Sequence, residues 1–289
     1  MKQTTKKQQS PFQQRMLQTV IDVGGRLFPR IVAHYAYRLW FRAPRFQSPG
    51  RELQWREHAT ASVIDHSGLP LTVYRWGEGP VVLLVHGWSG RALQLGGIAV
   101  ALAQSGYQAV AIDLPAHGDT PGSHTNAFAM AAAIKAVVQY YGMVHGIVTH
   151  SFGVIPVSML LRQGIPVDKV VCISPPDNGE YLLGRFVQAM RFPPKVVTHL
   201  HRQIEQVFGD SIWDEISVDK NVAGLTLPAL IIHDENDRDV EFQRAEVLAR
   251  AWSGASFYRT RGLGHRRILR DEATIEQVCR FIASASTNQ

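Results

Sequence analysis

Three observations predict an α/β fold: a mostly parallel central sheet with helices on both faces. Short branched-apolar runs, above all Val81-Val82-Leu83-Leu84-Val85, lack polar alternation, as strands buried on both faces require. These runs alternate with helix-length segments, the order that produces parallel pairing through crossovers. At Ile147-Val148-Thr149 a run of β-formers meets His150-Ser151-Phe152-Gly153 and then an apolar stretch, which reads as strand, sharp turn and helix.

The composition bounds the alternatives. A chain of 289 residues, 45% hydrophobic and 19% charged, is long enough for one large α/β domain with an insertion, and it shows no repeats or low complexity. Cys172 and Cys279 lie far apart without metal or redox spacing, so they read as thiols of a reducing compartment and make a cytoplasmic location the expectation. Asp22, Arg26, Pro29, Arg30, His34 and Arg38 interrupt the apolar residues between 20 and 40, so neither a signal peptide nor a spanning helix is expected.

The net charge of +6 is unevenly spread. Residues 1–50 hold nine lysines and arginines against one acid, Asp22, for a net +8, and the rest of the chain carries −2. Basicity confined to an arm, with no nucleic-acid motif, does not point to nucleic acid as a partner.

In chain order, residues 1–11 form a polar, basic tail that reads as disordered, and residues 12–50 a helical arm and linker. Within the arm Phe28, Ile31, Tyr35 and Leu39 recur at helical spacing opposite Arg30, Arg38 and Arg42. The expectation is that this apolar face packs on the body, which starts at residue 51 and runs to 289. The competing reading is peripheral contact between the basic stripe and an anionic membrane.

Residues 59–76 read as a hairpin, with alternating Ala61 and Val63, a turn at His66-Ser67-Gly68, and Leu71, Val73 and Tyr74 beyond it. Helices are expected over 91–105, 127–141 and 271–285, and further buried strands over 109–112, 169–173, 229–232 and 256–259. Between about 177 and 225 the alternation lapses into helical stripes, Leu182, Leu183, Phe186, Val187 and Met190, then Val197, Leu200, Ile204 and Phe208. An all-helical insertion after a strand's C-terminal end reads as a lid over the sheet edge where open α/β folds bind ligands.

A serine in so sharp a turn is a candidate nucleophile, and it needs a base and an acid. Among twelve histidines, His265 is the best placed base, because Gly262-Leu263-Gly264-His265 follows the last strand in a loop that its glycines make flexible. His150 adjoins Ser151 but points elsewhere, His86 and His233 read as structural, and His199 with His201 lacks a third ligand for a metal. The loop Asp234-Glu235-Asn236-Asp237-Arg238-Asp239 supplies the acid, with Asp237 preferred and Asp177 the alternative; Asp239 and Glu241 suit helix capping. No cofactor is expected.

With these residues in place the chain resembles the α/β-hydrolase fold superfamily from about residue 59 to 285. His86-Gly87-Trp88 resembles its oxyanion loop, Asp113-Leu114-Pro115-Ala116-His117-Gly118 its post-strand turn, Thr149-His150-Ser151-Phe152-Gly153 its elbow, Asp237-Arg238-Asp239-Val240 its acid loop and Gly264-His265 its base. The resemblance implies an oxyanion hole of the Trp88 and Phe152 backbone N–H groups. It also implies hydrolysis of an ester or related acyl bond of a small, partly apolar substrate by Ser151, His265 and Asp237. A non-catalytic ligand-binding or regulatory role and an acyltransferase are the alternatives. Two departures stand out: Thr149 replaces the first elbow glycine, and Pro156 falls in the following helix, where it costs a hydrogen bond.

Overall fold

The computed structural model describes residues 11–285. Apart from Pro11, where the first helix begins, the expected disordered tail lies outside the described residues. The chain divides into two compact units, one of residues 42–180 with 213–285 and one of 11–41 with 181–212.

In the smaller unit, α1 (Pro11–Leu27) and α2 (Pro29–Trp40) join α7 (Gly179–Met190, from residue 181) and α8 (Pro194–Phe208). Two helices of the insertion, α7 and α8, are thus partnered by the N-terminal arm. The larger unit contains α3 (Gly50–Glu57), β1 (Thr60–His66), β2 (Leu69–Trp76), β3 (Val81–Val85), α4 (Gly96–Gln104), β4 (Gln108–Ile112), α5 (Ala127–Tyr141), β5 (Val144–His150), α6 (Val154–Arg162) and β6 (Val167–Ile173). The rest of the expected insertion forms α9 (Ile212–Glu215) and α10 (Val218–Val222), and after it come β7 (Ala229–Asp234), α11 (Phe242–Ala251), β8 (Ala255–Thr260), α12 (Gly264–Arg267) and α13 (Glu272–Ala283).

The eight strands form one sheet in the order β1-β2-β4-β3-β5-β6-β7-β8. β1 pairs antiparallel with β2 and β2 antiparallel with β4; every later pairing is parallel. The β1–β2 connection falls where a turn was expected but takes two residues, Ser67 and Gly68, because His66 pairs with Leu69; both are at positive φ, which matches the twist of the strands they join. β1 is an edge strand, so its Ala61 and Val63 face solvent and Ile64 faces the core. Val82, Leu84, Val148, Val171 and Ile232 pack on one face with Ile98 and Leu102 of α4 and Val278 and Ile282 of α13. Asn126 caps α5 by accepting from the Ala129 N–H, and Asp271 caps α13 by accepting from that of Thr274. The third residue of α6 is Pro156, in a first turn whose N–H groups have no partner within the helix, so the expected loss of a hydrogen bond is small.

In the smaller unit the expected docking face of α2 is overturned. Phe28, Ile31, Tyr35 and Leu39 are exposed, while Ala33 and Ala36 are buried against α8, which buries Val196, Leu200 and Ile204. The small side chains let the two axes approach, and the large ones are left on the opposite side. α1 closes in the same way: a Cβ on Gly25 would lie 2.9 Å from Pro193 Cγ and 3.0 Å from Val196 Cγ2. Trp40 meets Phe186 at 5.3 Å between ring centroids, and Phe41 meets Phe208 at 5.5 Å.

Candidate active site

The C-terminal end of β5 carries Ser151 into a short 3-10 turn (Ser151–Gly153) before α6. Ser151 sits at φ +51°, a left-handed conformation that side-chain-bearing residues rarely hold, and this aims its hydroxyl away from the strand. The surroundings enforce the turn. A Cβ on Gly153 would fall 2.7 Å from the His86 carbonyl oxygen and 2.8 Å from that of Val85. Thr149, in place of the first glycine, is buried in the strand and donates its hydroxyl to the Val171 carbonyl at 3.2 Å.

Ser151, His265 and Asp237, distant in sequence, form one hydrogen-bonded row. Ser151 Oγ is 2.9 Å from His265 Nε2, and His265 Nδ1 is 2.7 Å from Asp237 Oδ2. A carboxylate only accepts, so Nδ1 carries the proton and Nε2 is free to accept from the serine hydroxyl. The other Asp237 oxygen accepts from the backbone N–H groups of Asp239, at 2.9 Å, and Val240, at 3.0 Å. Burial alone would raise the Asp237 pKa, but the bonds from His265, Val240 and Asp239 outweigh it and hold the carboxyl below its usual range.

The neighbouring loop residues tie the acid loop to the histidine loop. Asp234 Oδ2 accepts from Leu263 N and Thr260 Oγ1, both at 2.9 Å, and Asn236 Oδ1 accepts from Gly262 N at 3.0 Å. The loop expected to be flexible is therefore pinned, with Gly262 and Gly264 at positive φ as its corners. Asp177, the alternative acid, is engaged elsewhere, with Oδ2 3.2 Å from Arg244 Nη1. Glu241 occupies the N-cap position of α11 without a side-chain cap hydrogen bond.

Trp88 and Phe152, whose backbone groups the resemblance assigns to an oxyanion hole, are brought side by side, their rings 5.1 Å apart. Gly87 makes this approach possible. A Cβ there would sit 2.8 Å from Ser151 Cβ and 3.4 Å from Phe152 N.

Four buried histidines brace this architecture, and sequence reasoning gave none of them its specific partner. His86 Nε2 accepts from Leu114 N at 3.1 Å, which places its proton on Nδ1, donated to the Gly87 carbonyl at 2.7 Å. By the same logic His117 Nε2 accepts from Ser89 N and its Nδ1 donates to the Pro115 carbonyl, both at 2.9 Å. His150 lies 3.0 Å from the His265 carbonyl through Nε2, and His233 lies 3.0 Å from that of Val240. Burial lowers the pKa of all four, that of His150 to about 3. The signal for His86, His117 and His150 was their place inside motifs already singled out. Asp113 belongs to the same scaffold: it accepts from Ala92 N and Asp119 N, and burial raises its carboxyl to about 6 against those two bonds.

Among the described residues no group of three or more His, Cys, Asp or Glu is placed to hold a metal ion. Among them, too, no helix is long and apolar enough to cross a membrane.

Solved structures share the fold. Est1E from Butyrivibrio proteoclasticus, solved with ferulic acid bound, is 18% identical with a TM-score of 0.59, covering 78% of this chain and 100% of its own. Bromoperoxidase from Bacillus anthracis is 14% identical with a TM-score of 0.61, over 78% and 100% of the two chains. Epoxide hydrolase VrEH1 from Vigna radiata is 16% identical with a TM-score of 0.56, over 78% and 98%. Such identities speak for the fold alone. A search of curated protein sequences returns no match. The profile of the alpha/beta hydrolase family matches residues 82–277, from β3 into α13, and so spans the elbow, the acid loop and the histidine loop. The sheet order, the serine at the end of β5 and this match together establish that the chain belongs to the alpha/beta hydrolase family.

Proposed function

We propose that this protein is a serine hydrolase that cleaves an ester or related acyl bond of a small, partly apolar substrate. The observation that carries the reading is the row Ser151–His265–Asp237, with contacts of 2.9 and 2.7 Å and the serine in a left-handed turn. Ser151 Oγ attacks the acyl carbonyl as His265 Nε2 takes its proton, and Asp237 holds the imidazole in the required tautomer and balances its charge. The Trp88 and Phe152 backbone N–H groups receive the developing oxyanion, a contribution of about 3–4 kcal/mol for one such donor in well-studied cases. His265 then returns the proton to the leaving group and activates the water that releases the acid. A serine at the elbow, where an aspartate would suit epoxide opening or dehalogenation, favours acyl transfer. The Trp88 and Phe152 rings beside it favour an apolar acyl or alcohol part.

A fluorophosphonate probe tests the assignment, because it esterifies only an activated serine. Wild type should be labelled and Ser151→Ala should not. Equal labelling of both overturns the nucleophile, and no labelling of wild type, with no turnover of activated esters, favours the non-catalytic reading.

A further inference from the structure

The exposed apolar side chains of the smaller unit carry information that folding does not need. On α1, Met16, Val20, Val23 and Leu27 follow one another at helical spacing, all exposed. Phe28 continues the stripe at the corner, and Ile31, Tyr35 and Leu39 carry it along α2, so that the eight side chains are 41% to 67% exposed. Both helices already have a separate buried face, Ile21 and Gly25 on α1 and Ala33 and Ala36 on α2. The large residues are thus not spent on packing, and exposed apolar rows of this kind mark an interaction surface.

Charge selects the partner. Residues 1–50 carry a net +8, and their one acid, Asp22, is engaged by Arg26 at 3.1 Å. Arg38, expected opposite the apolar residues, instead follows Ile31 and Tyr35 at i, i+4, i+7 on the same face of α2, and it is exposed. A second copy of this chain would bring two strongly positive arms together, whereas an anionic surface complements them. Two consecutive helices, each with an exposed row of large apolar residues and together rich in cations, have the pattern of segments that lie in the interface of a bilayer.

We propose that the stripe of α1 and α2 docks on an anionic lipid surface, with the apolar side chains entering the headgroup boundary and the arginines binding lipid phosphates. Attachment through one such element is reversible and salt-sensitive, since each basic residue contributes only about a fivefold gain in partition.

The test is co-sedimentation of the full-length protein with phosphatidylcholine vesicles and with vesicles containing phosphatidylglycerol, at low and physiological salt. Wild type should pellet with the anionic vesicles only, and less so as salt rises. The double variant Ile31→Asp, Tyr35→Asp should lose more than about tenfold in partition, and Arg38→Gln about fivefold. Val63→Asp, which changes an exposed apolar residue on β1, should bind as wild type does. Thermal unfolding of each variant checks that folding is intact. Failure of wild type to bind anionic vesicles overturns the proposal, as does binding that the double variant retains. A dimer in sedimentation velocity that the double variant dissociates, without vesicle binding, also overturns it and makes the stripe a self-interface.

Discussion

His150 lies with Nε2 3.0 Å from the backbone carbonyl oxygen of His265, so the residue before the elbow serine holds the chain that carries the serine's hydrogen-bond partner. The two imidazole rings lie 4.8 Å apart. Burial and the nearby His265 keep the His150 imidazole neutral, which leaves Nε2–H as a donor to that carbonyl. His150 is therefore a positioning residue. His150→Ala should release the His265 loop and lower kcat by roughly a hundredfold, the scale of a misplacement near 1 Å, with KM little changed. His150→Gln, which can still donate, should recover part of the loss. Steady-state kinetics on an activated ester distinguish this from a merely structural role, which would move thermal stability without the rescue.

Asp237 and Asp177 offer a direct contrast, since one carboxylate meets His265 and the other meets Arg244. In Asp237→Asn the side-chain amide can donate to Nδ1 and so favours the wrong imidazole tautomer. Turnover should fall by about 10⁴ with the fold intact. Asp177→Asn should leave turnover within a few fold and affect stability instead. Turnover that collapses only in the Asp177 variant would show the acid to be misassigned.

The buried histidines make the fold acid-sensitive. His86, His117, His150 and His233 all titrate below the ordinary 6.5 when folded, so below that pH the unfolded chain binds protons that the folded chain refuses. Stability present above pH 6.5 is lost as pH falls, by about 1.4 kcal/mol per pH unit for each histidine that remains neutral. Asp113 acts in the opposite sense. Its folded pKa of about 6 lies above the ordinary 3.8, so between those values it contributes stability as pH falls. Asp113→Asn should therefore steepen the acid loss, as denaturant unfolding at stepped pH would measure. A variant whose stability runs parallel to wild type between pH 6 and 4 would remove Asp113 from this account.

The parts legible in the sequence were those in which a local pattern carries its own cause. Val81–Val85 could be read as a doubly buried strand because a parallel sheet leaves no face for polar residues, and Ser151 could be read as a turn residue because Gly153 stands two positions after it. The parts that were not legible depend on which surfaces meet. Helical spacing on α2 shows two apolar faces, and only the presence of α8 decides that Ala33 and Ala36 are buried while Ile31 and Tyr35 are not. The pinning of the His265 loop by Asp234 and Asn236 is invisible for the same reason: the partners lie 26 or more residues apart and meet only when β7 and β8 pair.

The partnership of α1 and α2 with α7 and α8 also sets an order of events during synthesis. The arm leaves the ribosome before α8 does, so the helix that buries Ala33 and Ala36 is not available until the chain has been made to about Phe208. At about 5–20 residues per second the first helices wait on the order of ten seconds for their partner. Throughout that interval the Ala33 and Ala36 face of α2 lacks its partner, so maturation of the arm is tied to completion of a segment far downstream.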